Sequence, residues 1–345
     1  MMRKRQKVKK EGLINIYKLA QKMAREGKYK ESEEKFNLIL KSDPNNVYAF
    51  VGLGNLKRKM KAFQKAVFYY EKALKIESNN KYAIVGLGDS YRGLKKIDNA
   101  LEIWLNYLSL VPDDYKTMTR IADGFRKIND FEESKKYFLM AIEQKKDDLY
   151  ALMGLGDIYT KIGNYEEALK YFNKIISLSD NAIVAITSTA NIYRRQGQYE
   201  KAKDCYDKAL KIKPSDSYSW HGKADCFRGM KNYSSAISSW QMALKYGMDP
   251  KMVMTRIGDA YSQLSDFQQA EIHYKKALDI GYDKFAYLGM SKIHIKKNNM
   301  DKAVDIFSIL LYKDPNDPRV SAEFRSLVKK YPAAKNAIPG AFKAG

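Results

Sequence analysis

Acidic and amide side chains recur at one position of the chain about every 34 residues, and basic side chains follow most of them. The acids and amides are Asn55, Asp89, Asp123, Asp157, Asn191, Asp225 and Asp259. Three residues later the chain has Arg58, Arg92, Arg126, Arg194 and Arg228, with Thr160 and Ser262 in the other two units. Residues three apart are neighbours on a helix surface. The spacing therefore predicts a ladder of hydrogen-bonding and ion-pairing groups along one face.

Aromatic, basic and small residues accompany this ladder at the same period. They are Tyr48, Tyr82, Lys116, Tyr150 and Tyr218, then Arg120 and Arg256, and then Gly52, Gly86, Gly154, Ser188 and Gly222. The small residues are expected to keep the floor of a binding surface open. Amide and carboxylate oxygens can accept backbone N–H groups of an extended ligand, arginines can pair with carboxylates or phosphates, and tyrosine combines apolar contact with a polar tip. Alternatively, each arginine pairs with an acid of its own or a neighbouring unit and braces the fold. Both interpretations are open at this point.

A second set of positions predicts the helices that carry the ladder. A small residue recurs at Ser32, Ala66, Ala100, Ser134, Ala168, Ala202, Ala236, Ala270 and Ala303, and four residues later comes Phe36, Tyr70, Trp104, Phe138, Phe172, Tyr206, Trp240, Tyr274 or Phe307. The intervals are equal, except that the last is shorter by one position. Such spacing indicates one apolar helical face, on which the small residues allow two helices to approach closely. Prolines such as Pro44 and Pro112 follow the second helix of a pair and end it.

These features resemble the tetratricopeptide repeat, in the pattern of Leu155, Gly156 and Tyr159 followed by Ala168 and Phe172. The resemblance implies an all-α fold, a right-handed superhelical α-solenoid of antiparallel helix pairs. It also implies that the first helices line a concave groove, where such repeats usually bind extended peptides. Met23, Lys57 and His294 depart from the pattern by replacing the usual aromatic of the first helix.

The domain boundaries follow from the repeat. Residues 1–12 form a basic N-terminal arm, which is either a solvated terminus or a nuclear-import or phosphate-contacting segment. Nine repeats cover residues 13–317, at about 13–46, 47–80, 81–114, 115–148, 149–182, 183–216, 217–250, 251–283 and 284–317. Residues 318–331 are expected to form a capping helix, because the apolar stripe of Val320, Phe324 and Leu327 can cover the exposed end of the array. Residues 332–345 are expected to form a flexible tail.

The composition limits the possible partners. Lys and Arg number 62 against 40 Asp and Glu, which gives a net charge of +22. This charge is compatible with nucleic acid, an anionic membrane surface or acidic peptides, and also with lysines spread over a solvated outer surface. The two cysteines, Cys205 and Cys226, indicate a reducing compartment. Neither a secretory signal nor a membrane span is evident, so we expect a cytoplasmic protein.

No catalytic, metal or cofactor constellation appears in the sequence. His221, His273 and His294 fall at different repeat positions, and the glycines of the Gly-x-Gly segments lie inside helices. Lys116 and Arg120 have the spacing of one pair in the heat-shock chaperone clamp of this family, but the units before them lack its other residues. The sequence therefore predicts a non-enzymatic scaffold for protein or peptide partners, including acidic ones. RNA or other nucleic-acid binding and a self-assembling structural protein are the alternatives.

Overall fold

The computed structural model describes the backbone of residues 2–337 and the side chains of residues 12–335. All regular structure in this part of the chain is helical, and the chain divides into two compact units, residues 1–178 and 179–345. Unit 1 contains α1 (Met2–Arg25), α2 (Tyr29–Ser42), α3 (Val47–Lys59), α4 (Phe63–Ile76), α5 (Lys81–Gly93), α6 (Ile97–Leu110), α7 (Tyr115–Lys127), α8 (Phe131–Gln144), α9 (Leu149–Lys161) and α10 (Tyr165–Leu178).

Unit 2 continues the same alternation of helices. It contains α11 (Ile183–Arg195), α12 (Tyr199–Ile212), α13 (Ser217–Gly229), α14 (Tyr233–Lys245), α15 (Pro250–Gln263), α16 (Phe267–Ile280), α17 (Lys284–Lys296), α18 (Met300–Lys313), α19 (Pro318–Lys330) and the short α20 (Ala334–Ala337). Within each unit an odd-numbered helix packs on the following even-numbered one, and that helix packs on the first helix of the next pair. The predicted fold class, an α-solenoid of helix pairs, is confirmed.

Local signals start and separate the helices. Asn46, Asn80, Asp148 and Asp216 precede first helices, and each side chain accepts the backbone N–H three residues further on. This contact satisfies a donor that the helix itself leaves free. Inside each pair the tight turn uses a residue with positive φ, for example Gly163 at 82°. The turn reverses the chain and lays the second helix against the first.

The recurrent aromatics of the second helices form the core of each unit. The nine rings predicted from the spacing, from Phe36 to Phe307, are at most 2% exposed, and the small residues four positions earlier are fully buried. Where that small residue is serine, its hydroxyl donates to a carbonyl of the facing helix, Ser32 to Ala20 at 2.8 Å and Ser134 to Ala122 at 2.6 Å. These serines thus allow the two helices to approach closely while their buried hydroxyls remain hydrogen-bonded.

Lys57 and His294, which depart from the aromatic pattern, are buried beside acids of neighbouring helices. The Lys57 Nζ lies 2.6 Å from Glu33, and the His294 Nε2 lies 3.9 Å from Glu271. Desolvation lowers the pKa of His294 despite the charge of Glu271. Where a polar side chain replaces the aromatic ring, a glutamate of a second helix therefore lies next to it.

Helix α19 covers the last helix pair of the array. Val320, Phe324 and Leu327 of α19 are at most 1% exposed, and they pack with Phe307 and Leu310 as expected for a capping helix. At the other end α1 begins at Met2, so the backbone of the basic arm belongs to the first helix. The side chains of residues 1–11 and 336–337 and the tail residues 338–345 lie outside the described residues, as do the predictions made for them.

Candidate peptide-binding surface

The first helices of both units present exposed apolar side chains at one repeat position near their start. In unit 1 these are Tyr48, Tyr82 and Tyr150, each more than half exposed, and in unit 2 they are Val184, Tyr218, Met252 and Phe285. Lys116 occupies the position in α7, where its ammonium lies over the ring of Tyr115. The sequence interpretation missed that Met252 and Phe285 continue the series, although their spacing follows the period of the core, including its shorter last interval.

In unit 1 the predicted ladder forms a network of ion pairs. Asp89 is 7% exposed, and it contacts Arg58, Arg92 (3.2 Å) and Arg120 (3.3 Å). We call Asp89 with these three arginines the Asp89 centre. Each arginine side chain is about one-third exposed. The carboxylate thus lies beneath the guanidiniums, which face outward.

The next acid of unit 1, Asp123, is bound in a related way. Its carboxylate lies 2.7 Å from Arg126, 3.5 Å from Lys127 and 3.7 Å from Arg92. Burial opposes ionisation of Asp123, but the hydrogen bond from Arg126 and the charges of Lys127, Arg126 and Arg92 together hold its pKa below the ordinary value. Tyr150 lies close enough to Asp123 that burial and this carboxylate raise the pKa of its phenol.

Unit 2 repeats the arrangement around Asp225, which is 5% exposed. Its carboxylate lies 2.8 Å from Arg256 and 3.2 Å from both Arg194 and Arg228. We call Asp225 with these three arginines the Asp225 centre. The side chain of His221 is only 15% exposed, and its Nε2 lies 3.8 Å from Asp225. Desolvation lowers the pKa of His221, and the charges of the three arginines act in the same direction, whereas the charge of Asp225 opposes the shift.

Three other ladder residues are held by hydroxyls of the core. Tyr70 donates to Asn55 at 2.8 Å, Tyr206 donates to Asn191 at 2.8 Å, and Tyr274 donates to Asp259 at 2.7 Å. These hydrogen bonds join a buried ring of the second helix to the surface of the first. They also satisfy the tyrosine hydroxyls, which would otherwise be costly to bury.

The two acids without an arginine three residues later are more open. The Asp157 side chain is 38% exposed, and its one ion pair with a described residue is with Arg126 at 3.2 Å, while Thr160 donates to the carbonyl of Gly156 in its own helix. Partial desolvation raises the pKa of Asp157 more than the charges of Arg126 and Lys161 lower it. Desolvation likewise raises the pKa of Asp259, where Ser262 replaces the arginine. Asp123, which has an arginine three residues later, therefore differs in the direction of its pKa shift from Asp157 and Asp259, which have none.

This contrast predicts opposite effects of two charge-removing substitutions. A carboxylate with a lowered folded-state pKa contributes stability above its unfolded pKa, and this stability is lost as the pH falls. Asp123→Asn should therefore lower the free energy of unfolding at pH 7, with the loss shrinking toward pH 3. Asp157→Asn should leave stability at pH 7 unchanged or higher, because the charged form is disfavoured on folding. Urea unfolding of both variants at the two pH values tests this, and equal losses at pH 7 would contradict it.

The glycines at the surface have a different role from the one expected. A Cβ on Gly86 would lie 2.3 Å from the Tyr70 ring, and one on Gly222 would lie 2.2 Å from the Tyr206 ring. Gly52 and Gly154 likewise make room for Phe36 and Phe138. The expectation that these glycines keep the floor open is therefore wrong, because the preceding aromatic fills that space.

Each unit has a basic cavity beside its arginine centre. In unit 1 Arg58 and Arg92 line a cavity of about 680 Å³ together with Lys59, Lys127 and Asp89. In unit 2 Arg228 and Arg256 line one of about 960 Å³. The other charged residues of the second cavity are Lys231, Lys251, Lys292, Arg319, Asp249, Asp259 and Asp283. In both cavities the basic side chains outnumber the acidic ones by three.

Other types of site are not seen in the described residues. No group of three or more His, Cys, Asp or Glu side chains within them is arranged to hold a metal ion. Among the described helices, none combines the length and the apolar character needed to cross a membrane.

The fold and the periodic surface define a helical repeat protein. Tetratricopeptide repeat family models match residues 47–80, 147–215, 187–253 and 253–280. The chain is a tetratricopeptide repeat protein, as its residue pattern predicted. A comparison with curated protein sequences finds no match.

Solved structures with the same fold share little sequence with this chain. The C-terminal part of a repeat-containing protein from Cytophaga hutchinsonii is 17% identical, with a TM-score of 0.60, and the match covers 69% of this chain and 98% of that one. PilF of Pseudomonas aeruginosa is 15% identical, with a TM-score of 0.51 and coverages of 61% and 96%. A chain of the Cut9–Hcn1 hetero-tetramer is 14% identical, with a TM-score of 0.53 and coverages of 70% and 48%. At these identities the likeness shows the fold alone.

Proposed function

We propose that the protein is a non-enzymatic scaffold that binds extended peptide segments or partner proteins along the first helices of each unit. The observation that carries this proposal is the series of exposed aromatic and apolar side chains, Tyr48, Tyr82 and Tyr150 in unit 1 and Tyr218, Met252 and Phe285 in unit 2. Exposed rings next to arginines are typical of protein interfaces, where aromatic residues and Arg provide most of the binding energy.

The arginine network beside these rings supports binding as well as bracing. The acids Asp89, Asp123 and Asp225 are engaged by guanidiniums, so they stiffen the surface and have little capacity left for a ligand. The guanidiniums remain partly exposed, and each carries more N–H donors than its ion pair uses. We infer that the aromatic rings and the outer edges of the arginines contact the ligand, while the acids hold the arginines in place.

Nucleic-acid binding remains the second candidate because of the net charge of +22. Single-stranded nucleic acid needs a basic track that follows successive phosphates. The first helices instead alternate arginines with carboxylates, and Asp157 and Asp259 stay open among them. If RNA were the ligand, the logarithm of the affinity for poly(U) would fall linearly with the logarithm of the salt concentration. Absence of poly(U) binding at low salt would eliminate this candidate.

Tyr218 provides the test of the peptide-binding surface. It is 73% exposed on α13, and Tyr312, which is 82% exposed on the second helix α18, offers a matched control. Peptides selected from a random display library by the unmodified protein should bind Tyr218→Ala about tenfold more weakly or worse, because an interface hot spot contributes on the order of 2 kcal/mol. Tyr312→Ala should bind as the parent does. Fluorescence anisotropy measures both affinities.

Two outcomes would contradict the proposal. Either the unmodified protein selects no peptide above background, or Tyr218→Ala and Tyr312→Ala retain the same affinity. Both substitutions remove an exposed ring, so neither should change the thermal unfolding temperature by more than a small amount.

A further inference from the structure

The Asp89 and Asp225 centres are equivalent positions of a longer internal repeat. Their members correspond one to one at a distance of four repeat periods, as the pairs Arg58 and Arg194, Asp89 and Asp225, Arg92 and Arg228, and Arg120 and Arg256 show. The sequence Met-Thr-Arg-Ile surrounds both Arg120 and Arg256, and Arg-Gly ends both α5 and α13. The same arrangement therefore occurs once in each unit.

Each centre belongs to a repeat whose core ring is a tryptophan, Trp104 or Trp240. Where the core ring is tyrosine, as at Tyr70 and Tyr206, its hydroxyl reaches the ladder residue and the next first helix has glycine. At Trp104 and Trp240 no hydroxyl is available, and the next first helix has Arg120 or Arg256 in the glycine position. Each of these arginines adds a third guanidinium to a carboxylate that already has two.

The third arginine leaves each centre with more positive than negative charge. One carboxylate faces three guanidiniums, so two positive charges are not compensated within the centre. In unit 1, Arg92 also approaches Asp123, but Asp123 is already paired with Arg126 and Lys127. In unit 2, the Arg194 Nε is buried and lacks a hydrogen-bond partner among the described residues. Unused donors and unpaired charge both favour an incoming anion.

The centres are also open to solvent. The arginine side chains of the Asp225 centre are 31%, 47% and 30% exposed, and Arg228 and Arg256 line the cavity of unit 2. Arg58 and Arg92 of the other centre line the cavity of unit 1. An anionic group can therefore reach the guanidiniums without displacing the core.

We propose that each centre binds a phosphoryl group carried by a peptide ligand, so that the scaffold recognises phosphorylated segments. This inference rests on the proposed function, since it requires that peptides bind the same surface. A phosphoryl group carries close to two negative charges at neutral pH and offers three acceptor oxygens. It matches the two uncompensated charges of a centre better than a single carboxylate does. Among the described residues, three guanidiniums share one carboxylate at one place in each unit, which favours isolated phosphoryl groups over the continuous backbone of RNA.

Inorganic phosphate provides a site-specific first test on the full chain. With 15N-labelled arginine, the Nε–H resonances of Arg92, Arg120, Arg228 and Arg256 should shift saturably as phosphate replaces chloride at constant ionic strength. The resonance of Arg195, an exposed arginine on α11 outside the centre, should not. Equal shifts for Arg195 would overturn the proposal. So would equal shifts of the four centre arginines in a separate titration with chloride alone.

Degenerate peptide libraries test recognition of the phosphorylated segment. A phosphoserine library should be captured roughly tenfold better than the same library with serine, because hydrogen bonds to a charged group are the stronger ones. The variant Arg256→Gln leaves Asp225 paired with two arginines. It should lose most of the preference for phosphoserine over serine that unit 2 contributes. The combined variant Arg120→Gln/Arg256→Gln should lose nearly all of it, whereas the matched control Arg195→Gln should retain it.

The possible outcomes separate the two proposals. If both libraries are captured equally, phosphoryl recognition is refuted and peptide binding stands. If neither library is captured above background, the proposed function fails with it. Equal loss of preference in Arg195→Gln would show that only general charge matters. Competition by poly(U) RNA stronger than by the phosphoserine library would assign the centres to nucleic acid instead.

Discussion

Replacing Trp104 by alanine is expected to lower the free energy of unfolding by about 3–5 kcal/mol, the range for removing a large aromatic from a packed core. The ring is fully buried between α5, α6 and α7, where a Cβ on Gly88 would lie 2.2 Å from its Nε1. The guanidinium of Arg92 lies 5.5 Å from the ring centre. The substitution therefore opens a cavity in the core and removes the support of an arginine of the Asp89 centre.

Urea unfolding followed by far-UV circular dichroism measures this loss, with Tyr312→Ala as the control. Tyr312 is 82% exposed, so its removal should change the free energy of unfolding by less than about 0.5 kcal/mol. If Trp104→Ala unfolds at the same urea concentration as the control, the ring does not hold the helices together as the structure indicates.

The packing of the fold could be predicted from the sequence because it depends on residue classes at a fixed spacing. A buried ring such as Phe138 or Trp240 and a small residue such as Ala168 recur once per repeat, and each interacts only with adjacent helices. The capping helix followed from the same principle, since Phe324 must cover the ring of Phe307 at the end of the array. Periodicity therefore specifies short-range packing well.

The candidate site was less predictable, because the role of a polar residue depends on neighbours one repeat away. The repeat period placed Asp89 and Arg92 on one face, but it did not reveal that Arg58 and Arg120 from adjacent helices bury the same carboxylate. Gly86 was predicted to leave open space, whereas the Tyr70 ring fills it. The longer correspondence, over four repeat periods, was the signal that distinguishes the two arginine centres from the rest of the ladder.

Asp89→Asn tests what the carboxylate does within its centre. Asparagine keeps the shape and can still accept hydrogen bonds, but three guanidiniums are left without the anion that separates them. Removing one partner of a buried ion pair costs roughly 3–5 kcal/mol. The arginines here are 34%, 31% and 28% exposed, and solvent screening reduces the expected loss to about 1–3 kcal/mol. Asp98→Asn, at an exposed acid of α6, should be close to neutral.

Phosphate should restore part of the stability that Asp89→Asn loses. An anion that binds only the folded state stabilises it in proportion to the logarithm of its concentration, and the variant centre has three uncompensated charges where the parent has two. We therefore expect the unfolding temperature of Asp89→Asn to rise more steeply with phosphate than that of the parent, while chloride at equal ionic strength raises both alike. If the variant is as stable as the parent, the carboxylate does not hold the arginines. If phosphate and chloride act equally on the variant, the centre does not bind phosphate, because its surplus charge is then only screened by salt.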